Sequence, residues 1–149
     1  MSTTDRVLPL TRAVAIAIVP FLVVAVVILF GFPSRTEELF AWAIAPPLSA
    51  YLLASAYVGG IWFFGCTAFA RSWDAVRHGF PAVVVFAGAL LVATLLHLDR
   101  FSRNLPFVVW LVLYATTPFL VAAVAVIQRR RAAALPPSPP RGDVLLSMR

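Results

Sequence analysis

The chain has 149 residues, of which 62% are apolar and only 12% are charged. A soluble domain carries about 25% charged residues and about 45–50% apolar ones, so this composition excludes a water-soluble globular fold. Most of the chain must face lipid or other helices. Cys66 is the single cysteine, which excludes a disulfide scaffold and a zinc site built on several cysteines.

Four stretches without charged side chains are long enough to cross a bilayer. A hydrocarbon core of about 30 Å needs roughly 20 helical residues, and Pro46-Pro47 delays the start of the second stretch. Because the connecting loops are short, neighbouring helices must be antiparallel. The sequence therefore predicts an all-α fold, a four-transmembrane-helix antiparallel bundle within a membrane domain of residues 1–131, with spans at about 13–32, 48–70, 79–98 and 105–128.

Two segments outside the spans have distinct compositions. Ser34 to Glu37 fits a capping box ahead of apolar and aromatic residues, so we expect a short helix over residues 35–44 that lies in the outer membrane interface. In the stretch from 135 to 140, four of the six residues are proline, which excludes a helix there. Residues 132–149 are therefore expected to form a Pro-rich, disordered cytoplasmic tail.

Arginine is distributed unevenly between the two sides that four spans define. Nine arginines lie on the side of both termini and three on the other, which by the positive-inside rule places the N- and C-termini in the cytoplasm. Anionic lipid headgroups then account for the net charge of +6, so nucleic acid is not an expected partner. All twelve basic residues are arginine, a codon preference typical of GC-rich bacteria, and the expected location is the bacterial inner membrane.

No Asp, Glu, Lys or Arg lies within the predicted spans, which disfavours a proton-coupled transporter. Ionisable groups gather instead at the outer ends of the spans. His97 is a candidate metal or haem ligand or general base, with Asp99 or Glu38 as a second carboxylate and Arg100 as an anion clamp. The alternative is that these groups only anchor a helix end among lipid headgroups.

Small residues and aromatic side chains lie near these ionisable groups in the sequence. Ala89 and Ala93 precede His97 at four-residue spacing, which predicts a helix face in contact with another helix and a histidine that points into the bundle. Trp42 and Phe101 would then line a pocket beneath the short helix.

The second span carries the clearest pattern for close helix packing. Two pairs of small residues stand four apart, Ser55 with Gly59 and Ala56 with Gly60, as in closely packed membrane helices. Trp62 lies too deep for an interfacial belt. It either lines a pocket for an apolar ligand such as a quinone, carotenoid or lipid tail, or packs against a neighbouring helix.

Three functions remain open from the sequence. The first is a non-catalytic subunit or scaffold that packs its helices against partners, as a homo-oligomer or with other membrane subunits. The second is an enzyme or a cofactor- or lipid-binding protein that uses His97, Asp99 and Arg100 at the outer interface. The third is a transporter of a neutral or amphipathic molecule, with polar groups near Pro118. The absence of charged residues within the spans favours the subunit or scaffold, which is a non-enzymatic role.

Overall fold

The computed structural model describes residues 6–134 and confirms the predicted all-α fold. Within this range five α-helices follow one another: α1 (Pro9–Gly31), α2 (Thr36–Leu39), α3 (Pro47–Phe69), α4 (Gly79–Leu96) and α5 (Leu105–Ala133). All except the short α2 are long and apolar enough to cross a membrane. The chain is therefore a multi-pass membrane protein with four candidate spans.

Proline stands at the first or second position of three of the long helices, α1, α3 and α5. Proline is tolerated there because the first N–H groups of a helix have no partner within the helix. At the start of α5 the Asn104 side chain also accepts a hydrogen bond from the Phe107 N–H at 2.9 Å. These residues determine where each span begins.

The long helices form two hairpins, α1 with α3 and α4 with α5, while α1 meets α5 over a shorter length. Buried side chains form two clusters. One lies at the end that carries residues 6–12, 71–78 and 129–133, here called the basic end, and the other lies at the end that carries residues 32–46 and 97–104, here called the aromatic end. The core is thus divided along the length of the bundle.

The predicted interfacial helix over residues 35–44 is wrong in its extent. Only Thr36–Leu39 is α-helical, preceded by a 3-10 turn, and no side chain caps its start. Thr36 is buried instead, and its Oγ1 accepts a hydrogen bond from the Ile44 N–H at 2.8 Å. Phe40 and Ala41 are buried in the bundle, so the segment that follows α2 packs against the other helices.

The fourth span extends beyond its predicted end at residue 128. α5 continues through Arg129, Arg130 and Arg131 and ends at Ala133. Arginine is a good helix former, and positive charge near a helix C-terminus is favourable, so the arginine run leaves the lipid without breaking the helix. The predicted Pro-rich tail lies, from residue 135 onward, outside the described residues.

Candidate functional site

The charged groups predicted to form an outer site are satisfied separately. His97 is exposed at the end of α4, where its Nδ1–H donates to the Ala93 carbonyl oxygen at 2.9 Å. Asp99 pairs with the adjacent Arg100 at 3.2 Å, and Glu38 pairs with Arg35 at 2.8 Å. Each carboxylate therefore finds its cation within its own segment.

The expectation that His97 points into the bundle is wrong. Ala89 and Ala93 on the same face of α4 are exposed as well. α4 buries Ala87 and Thr94 instead, and Ala89 stands about 200° around the helix from Ala87. Ala89 and Ala93 thus lie on a face of α4 that the described residues leave uncovered.

The histidine also has no metal-site partners in the part of the chain that the structure describes. Among residues 6–134, no three His, Cys, Asp or Glu side chains form a group suited to a metal ion. A role of His97, Asp99 or Glu38 as ligand or base remains a prediction, as does haem or metal at His97.

Trp42 and Phe101 contact each other with ring centroids 5.0 Å apart. Trp42 also packs edge-on against Trp110 at 4.9 Å, and Phe40 lies 5.1 Å from Trp110. Trp110 is buried and donates its indole N–H to Thr94 Oγ1 at 3.1 Å. These rings pack against one another at the aromatic end of the bundle, and a pocket lined by Trp42 and Phe101 remains a prediction.

The small residues of α3 separate onto two sides of the helix. Gly60 faces α1, because a Cβ there would lie 3.0 Å from Leu22 Cδ1. Gly59 faces open space, with no atom within 4 Å of a Cβ, and Ser55 and Ala56 are exposed. Of the four small residues in the predicted pattern, Gly60 therefore packs within the hairpin, whereas Ser55, Ala56 and Gly59 are exposed.

Four exposed residues of α3, here called the open face, share one side of the helix: Ser55, Gly59, Trp62 and Cys66. Their spacing of four, three and four follows the helical repeat. Trp62 is 77% exposed, and its indole N–H has no hydrogen-bond acceptor among residues 6–134. Trp62 thus projects away from the bundle and does not line the cavity that lies between the two hairpins.

A cavity of about 310 Å³ lies between the two hairpins. We call it the inter-hairpin cavity. All four long helices contribute to its wall, which is almost entirely apolar. Three residues with hydroxyl groups line it, Tyr57, Tyr114 and Thr117, and the two tyrosine hydroxyls are hydrogen-bonded to each other at 2.8 Å. Tyr57 went unrecognised in the sequence, although a tyrosine in mid-span needs a partner for its hydroxyl.

Gln128 is a second polar residue that the sequence analysis missed. It is 2% exposed and holds the N-terminal segment against α5. Its Oε1 accepts hydrogen bonds from the Leu8 N–H at 2.9 Å and from Thr11 Oγ1 at 3.2 Å, and its Nε2 donates to the Arg6 carbonyl oxygen at 3.0 Å. It is the only glutamine in the chain and stands just before the arginine run. The sequence could therefore have identified it as a polar residue at the end of the fourth span.

Arg12 connects two spans at the same end. Its Nη2 donates to the carbonyl oxygen of Ala70 at 2.7 Å, directly after α3. A cation at that position complements the partial negative charge at a helix C-terminus.

No family model, curated protein or solved structure matches this chain. The fold defines its class as a small four-span membrane protein. The open face and the inter-hairpin cavity are the features from which its function can be inferred.

Proposed function

We propose that this protein is a subunit of an oligomeric membrane complex and that it associates with another transmembrane helix through the open face of α3. The observation that carries the proposal is the open space beside Gly59, on the same side as the exposed Ser55. Two small residues four apart allow a second helix backbone to approach closely, which is how membrane helices gain contact energy without a hydrophobic driving force.

Trp62 supports the same surface independently. It stands seven residues before the end of α3, about 10 Å along the helix axis, so its indole N–H lies within the apolar layer. A donor without a partner is unfavourable there. A carbonyl or hydroxyl on a neighbouring helix would accept this hydrogen bond, for a gain of about 1 kcal/mol.

We place the protein in the bacterial cytoplasmic membrane with its basic end in the cytoplasm. Seven of the described arginines lie at that end, and six of them are exposed. Among the described residues, only Arg77 of these six forms an ion pair, with Asp74, whereas at the aromatic end two of the three arginines, Arg35 and Arg100, are paired with carboxylates. Reporters of compartment at residues 36 and 149 should place the first outside and the second in the cytoplasm. Both reporters on one side would contradict this topology.

Cys66 allows the association to be tested in native membranes, because it is the only cysteine and lies on the open face. A second copy of the chain is the partner that we expect. Oxidative cross-linking should then give a disulfide-linked dimer. The matched control is Cys66→Ala with Ala123→Cys, which moves the thiol to an exposed position on α5 and should give much less dimer.

Ser55→Leu provides a second test of the association, since Ser55 lies on the open face and does not line the inter-hairpin cavity. We expect it to weaken association at least tenfold, while Ala123→Leu leaves association unchanged. Gly60→Leu is unsuitable because it would clash with Leu22 inside the hairpin. If Ser55→Leu changes neither the cross-linking nor the co-purifying membrane proteins, the proposed function is wrong.

A further inference from the structure

We infer that the inter-hairpin cavity binds a lipid-soluble ring compound that carries a carbonyl oxygen, the chemistry of membrane quinones. Gly59 of the open face also lines the inter-hairpin cavity. The polar groups on which this inference rests, Tyr57 and Tyr114, are not part of the open face, and the variants used below change neither Gly59 nor Trp62. It rests on the size and opening of the cavity, on the rings in its wall and on the hydrogen-bonding capacity of the two tyrosines.

The volume and the opening suit an amphipathic molecule. At about 310 Å³, the cavity is at the lower end of the range of small-molecule sites, roughly 300–1,000 Å³. A ring and the first part of a chain would occupy such a space. Phe21, Ala56 and Phe86 line the cavity and are also exposed on the outside of the bundle, so a hydrocarbon tail can leave it toward lipid.

The wall of the cavity favours a flat ring over a flexible chain. Aromatic side chains prefer offset or edge-to-face contact with another ring. Within the wall, Phe63 and Phe64 already meet edge-to-face at 63°, an arrangement that a flat ring in the cavity could extend. Six rings line the cavity, those of Phe21, Tyr57, Phe63, Phe64, Phe86 and Tyr114.

The tyrosine pair supplies the polar contact. Two hydroxyl groups carry two protons, and the hydrogen bond between Tyr57 and Tyr114 uses one of them. The other proton has no acceptor among residues 6–134, and Tyr57 is 2% exposed. A buried donor without an acceptor is unfavourable. A carbonyl oxygen in the cavity would accept it, whereas the methylene groups of an acyl chain would not.

The test measures equilibrium binding of a tritiated decyl-substituted benzoquinone to the full chain in lipid nanodiscs free of endogenous quinone. The variant is Tyr57→Phe with Tyr114→Phe, which keeps both rings and removes both hydroxyls. Both must change, because either hydroxyl alone would retain a free proton for the ligand. We expect the Kd to rise about tenfold, with Tyr51→Phe as the control, since Tyr51 is exposed and outside the cavity.

A second variant tests the location of the ligand without removing a polar group. Ala82→Leu adds volume at the cavity wall and should reduce binding strongly, whereas the same change at Ala123, outside the cavity, should not. Thermal unfolding of each variant establishes that it is folded.

A carbonyl-free probe, decylbenzene, separates recognition of the carbonyl from simple partition into the cavity. It should bind the native chain weakly and be insensitive to loss of the two hydroxyls. The inference is overturned if the benzoquinone shows no saturable binding, if the double tyrosine variant binds it as tightly as the native chain, or if Ala123→Leu reduces binding as much as Ala82→Leu. Ser55→Leu should bind the benzoquinone with the native Kd even if it no longer associates. That result would show that failure of the proposed association does not imply failure of the ligand site.

Discussion

The two ends of the bundle are stabilised in different ways. At the basic end one amide side chain, Gln128, makes three hydrogen bonds to the segment that precedes and begins α1. At the aromatic end the segment after α2 packs its rings against Trp110, and a single side-chain hydrogen bond, from Trp110 to Thr94, is buried among them. Asn104 adds three hydrogen bonds at the aromatic end, and the rings of Trp73, Phe80 and Phe63 pack together at the basic end. The ends differ in burial, because the amide of Gln128 is 2% exposed whereas Asn104 is only partly buried.

The difference shows what fixes a helix in a bundle of this composition. Lipid is as apolar as the helix surfaces, so burial of apolar groups does not decide which faces meet. Shape complementarity between rings, or a polar group that must find its partner, decides instead. In mid-bundle, where Tyr57, Tyr114 and Thr117 are the polar residues of an otherwise apolar wall, the hairpins leave the inter-hairpin cavity between them.

The largest expected effect is that of Trp110→Ala at the aromatic end. It removes a ring that contacts Phe40, Trp42, Tyr57 and Tyr114, and replacing a buried tryptophan by alanine costs about 3–5 kcal/mol. Thermal unfolding in detergent, followed by circular dichroism, should show the loss. Trp62→Ala on the open face is the control, and equal destabilisation by the two changes would contradict the role given to ring packing.

Gln128→Leu should have the next largest effect and should act at the basic end alone. It leaves the Leu8 N–H and the Arg6 carbonyl oxygen without their partner, and each buried group left unsatisfied costs about 1–3 kcal/mol. Hydrogen exchange should become faster over residues 7–12 and remain unchanged at the aromatic end. Thr11→Val, which removes one bond only, should have a smaller effect. Uniform acceleration along the chain would show that the two ends are not independent.

Thr94→Val tests the hydrogen bond between the Trp110 indole N–H and Thr94 at the aromatic end. The substitution keeps the side-chain shape and removes the acceptor of the Trp110 indole N–H, so we expect a loss of about 1 kcal/mol in the free energy of unfolding. The control is Thr116→Val, because the exposed Thr116 hydroxyl bonds only within its own helix. A loss as large as that of Trp110→Ala would mean that the hydrogen bond, rather than the rings, stabilises this end.

Glu38→Gln should change stability least. The Arg35–Glu38 pair has side chains that are 57% and 66% exposed, and such pairs contribute about 0–1 kcal/mol. Unfolding temperatures measured at low and high salt should differ little between the native chain and the variant. A large, salt-sensitive decrease in the unfolding temperature of the variant would indicate that the charges at the aromatic end stabilise the fold.

Several features followed from the sequence alone. In lipid every backbone N–H and C=O must be satisfied within the chain, so a charge-free stretch of about 20 residues can only be a spanning helix. Length and charge position were therefore enough to predict four spans, and the starts of three of them coincide with prolines. The all-α fold needed no information about contacts.

Which residues face one another was decided only by the tertiary structure. A soluble helix marks its buried side by an apolar stripe, but these spans are apolar all round. The sequence thus gave no sign that Gly60 packs against Leu22 while Gly59 stays open. Nor did it indicate that Trp110 is buried while Trp62 is exposed. Such choices depend on the fit between side chains of distant helices, which residue type and spacing do not encode when both faces of a helix are equally soluble in lipid.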